Sequence, residues 1–348
     1  MYALAKSILF RLDAEAAHDL IARQMIRAQS VPGLIPMLSW LMSIPAVPRK
    51  VWGLDFENPV GIAAGFDKNA ELVPILRAIG FGFVEVGTIT FRAQPGNPKP
   101  RMFRYPAQRA LVNRLGFNNE GARAAAVRLE MEWSDPVARE ARTKRPLLAN
   151  IGKNKEVSID GATENYLDCY RIVAPWVDGV VVNVSSPNTA ALRDLQKPEH
   201  LESLLGALQR ERMSTRFVRD VGTHPIVLKI APDLDDSQLA EIAEIAVRLA
   251  DGLTATNTTV NRELLDGPVE SGGISGGPLF ESSTNVLAKL RRHVGDEFPI
   301  IGVGGILSGA DAVGKLDAGA TLVQVYTGFV YEGPGFPRRL VEHLEARR

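Results

Sequence analysis

From residue 60 onward the chain alternates between short apolar runs rich in β-branched residues and longer stretches whose apolar positions recur near a helical period. The apolar runs fall at 60–66, 83–89, 147–151, 179–184, 225–230, 253–256, 300–303 and 321–326, eight in all. Several are almost unbroken in Val, Ile, Leu and Ala, as suits parallel strands covered by helices. Helices are predicted between them at 70–78, 118–132, 163–174, 200–220, 236–250, 280–294 and 309–318. Eight such units predict an α/β fold of the closed (β/α)8, or TIM, barrel type rather than an open doubly wound sheet. No Gly-x-Gly-x-x-Gly opens a helix after the first strand, and Gly302-x-Gly304-Gly305 comes too late in the chain to do so. The motif pattern therefore argues against a dinucleotide-binding domain.

The first 45 residues follow a different pattern and predict an N-terminal helical extension, region 1–45, ahead of a barrel domain, 46–348. Residues 13–28 have a helical period through Ala16, Ala17, Leu20, Ile21 and Met25, and Val31-Pro32-Gly33 breaks it. A second short helix is predicted at 36–42, opened by Pro36 and closed before Pro45. These helices carry many bulky apolar residues and few polar ones to cover them. Two readings stand: a cap docked on the barrel, or an element lying on a membrane surface. Six basic residues (Lys6, Arg11, Arg23, Arg27, Arg49 and Lys50) against Asp13, Glu15 and Asp19 favour contact with anionic lipid. The apolar start, 1–10, is too short and too soon charged to be a secretory signal or a span. Residues 54–59 read as a turn or hairpin that closes the barrel bottom.

Composition narrows the function classes. With 348 residues, 45% of them hydrophobic, the chain can bury a large core. Forty basic residues balance forty acidic ones, so no overall field draws nucleic acid. The one cysteine, Cys169, permits neither an internal disulfide nor a thiolate metal cluster.

Barrel ligands sit at the carboxyl ends of the strands. Five ends here carry Asn or Lys: Lys68, Asn150, Asn183 with Asn188, Lys229, and Asn257. One terminal Asn is ordinarily a turn residue. Five converging on one mouth make a pocket of neutral amides, each donating and accepting, which suits a planar ligand with alternating carbonyl and N–H groups. A buried Lys68 or Lys229 requires an anion, a ligand carbonyl or a carboxylate opposite it. None of the five histidines (His18, His200, His224, His293, His343) falls at a strand end, so a histidine-ligated metal or a histidine base has no support. Glycines at 272–273 and 276–277, Gly304-Gly305, and Tyr326-Thr327-Gly328 follow the sixth, seventh and eighth strands, where backbone N–H groups approach a phosphate. Between the second and third strands a proline-rich stretch, 94–101, followed by Arg104 and 113–118, predicts an ordered excursion over the mouth.

Taken together, Ala64-Gly65-Phe66-Asp67-Lys68-Asn69, Gly87-Thr88, Asn113-Arg114-x-Gly116-Phe117-Asn118, Asn183-x-Ser185-Ser186-Pro187-Asn188-Thr189 and Thr256-Asn257-Thr258-Thr259 resemble the dihydroorotate dehydrogenases, in their membrane-associated, quinone-reducing class. The resemblance runs over essentially the whole chain. It implies oxidation of dihydroorotate to orotate in pyrimidine biosynthesis, with FMN as cofactor and ubiquinone or menaquinone as acceptor. It implies FMN contacts from Ala64, Gly65, Phe66, Asp67, Lys68, Thr88, Asn150, Asn183, Lys229 and Thr256, with the phosphate near Gly277, Gly305, Tyr326 and Thr327. Dihydroorotate is then read by Lys68, Asn113, Arg114, Leu115, Gly116, Phe117, Asn183, Asn188, Asn257 and Thr258, and Ser186 is the base. His18, Arg104 and Tyr326 match positions lining a quinone tunnel. The soluble class uses a cysteine base, which Cys169, in the helix before the fourth strand, does not supply. The expected setting is peripheral, on the cytoplasmic face of a bacterial inner membrane, as a monomer that contacts the membrane surface and no nucleic acid. One departure stands out: where the family has Thr-Pro-x-Pro, this chain reads Thr90-Phe91-Arg92-Ala93, which predicts a looser loop. Rival readings are another FMN barrel oxidoreductase with a different substrate or a soluble acceptor, and a barrel that only binds a phosphorylated metabolite.

Overall fold

All eight apolar runs are strands of one parallel sheet that closes on itself: Val60–Ile62, Phe83–Ile89, Leu147–Ile151, Gly179–Asn183, Ile226–Ile230, Gly252–Ala255, Ile300–Val303 and Leu322–Val325. Pairing of Val323 with Val60 and of Val325 with Ile62 joins the last strand to the first. The computed structural model describes residues 2–189, 191–219 and 222–347. Asp220, the last residue of one predicted helix, and the end residues 1 and 348 of the two predicted regions lie outside them.

Alternation along the strands sorts the side chains into two cores. Val84, Val86, Ile151, Val182 and Leu228 face outward against the helices. Phe83, Leu148, Val181, Val227, Ile301 and Leu322 face inward. The inner core is plugged from below by a hairpin, Arg49–Val51 with Leu54–Phe56, whose Val51, Leu54 and Phe56 pack into it. Its two-residue turn, Trp52-Gly53, has positive φ at both positions, the geometry that matches strand twist. Gly61 leaves room for the Phe83 ring that packs on Phe56 of the plug: a Cβ there would meet that ring at 2.4 Å.

The predicted helices are present with shifted ends. The first starts at Val73 rather than 70, because Ala70 is left-handed and the Asp67 carboxylate accepts from the N–H groups of Glu71 and Leu72. The second starts at Ala122, since Asn119 bridges to Gln94 and Gly121 has positive φ. The excursion is more regular than expected. It forms Met102–Tyr105 and Ala110–Asn113, and the glycine run after the sixth strand adds Gly273–Gly276 to make a three-stranded antiparallel sheet over the mouth.

The N-terminal region holds three helices, α1 (Tyr2–Leu9), α2 (Ala14–Gln29) and α3 (Leu34–Leu41); α1 was not predicted. Asp13 caps α2 by accepting from the N–H groups of Glu15 and Ala16. The helix is bolted to the barrel by Gln29, which donates to Glu71 O at 2.8 Å and accepts from Ile75 N at 3.1 Å. A buried pair adds to this, Arg101 Nη2 donating to Glu15 Oε1 at 2.7 Å. On α3, Ile35 and Leu38 pack inward, whereas Met37, Trp40 and Leu41 face solvent, Trp40 at 76% exposure. Among the described residues no helix is long and apolar enough to cross a membrane.

Candidate active site

The mouth of the barrel is an open cleft. One wall comes from the first two strand ends and the excursion: Ala64, Gly65, Lys68, Thr88, Asn113, Leu115, Gly116 and Phe117. The opposite wall comes from the fourth, fifth and sixth ends: Asn183, Ser186, Asn188, Lys229, Thr256, Asn257 and Thr258. Gly305, Tyr326 and Thr327 close the far corner. Most residues expected to bind a ligand therefore share one surface.

Five others lie off that lining. Asn150 is fully buried one layer down, donating to Glu85 Oε1 and accepting from Thr88 Oγ1 at 2.6 Å. Asp67 is buried and holds its loop by the two N–H groups named above; burial is the main cause that pushes its carboxyl up to about 6. Phe66 turns away to pack edge-on against His18, Tyr326 and Phe329. Arg114 reaches outward to Glu270 and Ser271, securing the excursion. Gly277 opens a 3₁₀ turn beside Gly276, and it is Gly276 that lines the cleft.

The amides are tied to one another. Asn188 Nδ2 donates to Asn113 Oδ1 at 3.2 Å, and Asn257 Nδ2 donates to Ser185 Oγ at 3.0 Å. Such cross-links fix rotamers before any ligand arrives. Ser186, almost buried, accepts the N–H of Asn188 at its hydroxyl, 3.2 Å away. Three residues on, Thr189 carries a buried hydroxyl with no partner among the described residues. Burial holds the Lys68 ammonium below its usual pKa, while Asp19 and Glu15 act against that fall.

At the corner, Gly276, Gly304 and Gly305 all have positive φ, and a Cβ on Gly305 would come within 2.3 Å of Phe280 Cα. Ser275 Oγ and Thr327 Oγ1 lie 2.9 Å apart beside them. Glycine backbone with paired hydroxyls is a cradle for a phosphate. The amide wall above is donor chemistry for a flavin ring, so the residues fit FMN.

Reading the strand ends missed the residues beneath them. Glu85 on the second strand and Gln324 on the eighth are fully buried inside the barrel, and Lys229 Nζ lies 3.6 Å from Glu85 Oε1. Glu85 is the carboxylate that a buried Lys229 demanded. Its only trace in the sequence was one charge inside an otherwise apolar run. The loop lacking the two prolines is not loose: Asn119 accepts from Thr90 N, and Asn154 accepts from Arg92 N and donates to Arg92 O.

Of the three residues expected along a quinone path, Tyr326 lines the cleft, whereas His18 and Arg104 lie at contacts between the N-terminal helices and the barrel. His18 on α2 meets Phe66 edge-on with ring centres 5.1 Å apart, and Tyr326 lines the cleft on the other side of Phe66. Arg104 donates to Leu12 O at 2.8 Å and lies over the Phe10 ring. Burial, reinforced by the charge of Lys68, lowers the pKa of His18 to about 3, so its imidazole is neutral at ordinary pH.

Comparison with known proteins points to one family. The profile of the dihydroorotate dehydrogenase family matches residues 46–347. A dihydroorotate dehydrogenase (quinone) of Acidovorax sp. (strain JS42) is 49% identical over 353 residues, covering 100% of this chain and 99% of its own. That of Paraburkholderia phymatum is 47% identical over 353 residues, with 100% and 98% covered. The crystal structure of DHODH from Eimeria tenella in complex with ferulenol superposes with a TM-score of 0.84 at 38% identity, over 95% of this chain and 90% of that one.

Proposed function

The chain belongs to the dihydroorotate dehydrogenase family, in its quinone-dependent class, and on that premise we propose how its residues divide the reaction. The enzyme oxidises dihydroorotate to orotate with FMN and passes the electrons to quinone, a step of pyrimidine biosynthesis performed in association with the membrane. Bound FMN supplies the redox chemistry, taking up two electrons from the substrate and releasing them to quinone.

In the proposed division, Ala64, Gly65, Lys68, Thr88, Asn183, Lys229 and Thr256 hold the flavin ring from the cleft wall, and Asn150 orients Thr88 and Asn183 from below. Gly276, Gly304, Gly305, Ser275, Tyr326 and Thr327 hold the phosphate. Asn113, Asn188, Asn257 and Thr258, with Lys68 and the backbone of 115–117, grip the pyrimidine and its carboxylate. Ser186 takes the C5 proton as its own hydroxyl proton passes to a water or hydroxyl relay and on to solvent. Asp67 and Arg114 shape the loops that carry these groups. Region 1–45, with His18, Arg104 and Tyr326 at its joint to domain 46–348, is the way in for quinone. The proposed assembly is a monomer.

One observation carries this reading: Ser186, five asparagines (Asn113, Asn118, Asn183, Asn188 and Asn257) and Lys68 converge on one cleft whose lining, among the described residues, holds no histidine. Purified protein is expected to hold a flavin that dihydroorotate bleaches anaerobically and a soluble quinone analogue restores. Ubiquinone and menaquinone analogues compared in that second step identify the acceptor. A flavin that dihydroorotate leaves oxidised sinks the reading.

A further inference from the structure

Glu85 sits inside the barrel one layer below the cleft, where its neighbours in the layer beneath are apolar. A charge buried there is costly, and an apolar side chain would serve packing as well. Two polar partners donate hydrogen bonds to it and a third, Lys229, faces it as an ion pair. Asn150 Nδ2 reaches Oε1 at 2.7 Å, Gln324 Nε2 reaches Oε2 at 2.6 Å, and Lys229 Nζ stands 3.6 Å from Oε1.

A carboxylate only accepts, so it dictates which way each amide points. Asn150 commits its NH2 to Glu85, which turns its Oδ1 toward the cleft, where it accepts from Thr88 Oγ1 at 2.6 Å and Asn183 Nδ2 at 3.1 Å. Thr88, having donated, accepts from Asn183 Nδ2 at 3.2 Å. Asn183 then presents Oδ1 to Ser185 Oγ at 3.0 Å and to Asn257 Nδ2 at 3.3 Å. Asn257 is left with Oδ1 accepting the N–H of Thr258 at 2.8 Å. The order of donors and acceptors from the barrel axis to the substrate wall follows from one carboxylate.

We propose that Glu85 is a positioning residue that sets the donor–acceptor polarity of the cleft floor and supplies the counter-charge that keeps Lys229 in the cleft wall. It touches neither substrate nor cofactor; it acts through Asn150, Gln324 and Lys229. The proposal rests on the flavin reading of the cleft.

The test is Glu85→Gln, purified as holoenzyme beside wild type and Glu85→Asp. A glutamine there must aim its NH2 at Asn150 or Gln324, so one of those amides must turn over or face a donor, and Lys229 loses its counter-charge. The expected result is a more positive midpoint potential of the bound flavin, because an uncompensated ammonium favours the electron-rich ring, with the wild-type potential largely kept in Glu85→Asp. A merely structural role lowers stability and leaves the potential in place. Flavin-loaded Glu85→Gln with the wild-type potential overturns the proposal. Should Glu85→Gln not accumulate, the charge-conserving Glu85→Asp is expected to accumulate with bound flavin; an Asp variant that fails as Glu85→Gln does also overturns the proposal. A wild-type protein that holds no flavin overturns the cofactor reading and this proposal with it, whereas a loaded wild type beside an unshifted variant overturns this proposal alone.

Discussion

The barrel mouth and the N-terminal helices treat solvent in opposite ways. The mouth hides its charges: Glu85 and Lys229 are buried, and each has its partner. The helices expose their apolar surface: seven of the fourteen large apolar side chains exposed among the described residues, from Ile8 to Leu41, lie there. The contrast follows from what each half of the reaction needs. Proton and hydride removal requires fixed dipoles in a site closed to water. Delivery to a lipid-soluble acceptor requires a surface that gains by leaving water. The two regions are joined by apolar packing of α2 and α3 on the barrel and by polar links that include the Glu15–Arg101 pair, Gln29, and Arg104 donating to Leu12 O.

That contrast is open to attack from both sides. The largest effect is expected from Ser186→Ala, which should keep FMN and lose roughly 10²- to 10⁴-fold in the rate of flavin reduction by dihydroorotate, followed by stopped-flow absorbance. Reoxidation of chemically reduced flavin by quinone should be unchanged in the same variant. Next comes the joint. Glu15→Ala leaves the Arg101 guanidinium, whose side chain is only 7% exposed, without its counter-charge and with only the Pro95 and Asn97 carbonyls to donate to, and should destabilise the protein by about 3 kcal/mol in denaturant unfolding. The triple variant Met37→Ser/Trp40→Ser/Leu41→Ser removes the outward face of α3 and should weaken binding to anionic vesicles by roughly 10- to 100-fold, leaving flavin reduction by dihydroorotate intact.

The smallest effect is on pH dependence. His18 has a pKa of about 3 in the fold against an ordinary 6.5, so between those values the unfolded chain takes up a proton that the native state refuses. Stability contributed by neutral His18 is present above 6.5 and falls as pH drops through that window. Asp67, raised from 3.8 to about 6, binds its proton earlier in the native state and opposes the loss between those two values. The difference between wild type and His18→Phe isolates the histidine: the variant should lose less stability on acidification from pH 6.5, read by thermal unfolding.

The barrel was legible because its signal is repetitive: eight apolar runs of similar length, each ending in polar or small residues. The cleft was legible where its chemistry falls at strand ends, as with Lys68, Asn183, Lys229 and Asn257. Glu85 and Gln324 escaped because pleat direction, which turns them to the axis, is visible only once the strands are in register. The Gly273–Gly276 strand escaped because glycine-rich segments read as turns, and here pairing with Ala110–Asn113 overrides that preference. Helix α1 escaped because its length gives too few turns for a period; it is held by tertiary contacts such as Lys6 Nζ donating to Tyr331 O at 3.1 Å.

The division of labour is tested most directly by following the bound flavin through both half-reactions on anionic vesicles containing quinone, in wild type, Ser186→Ala and the α3 triple variant. Ser186→Ala should fail only at bleaching by dihydroorotate, and the triple variant only at recovery from membrane quinone. If both variants slow the same half-reaction, or the triple variant recovers at the wild-type rate, the two regions do not divide the work in this way.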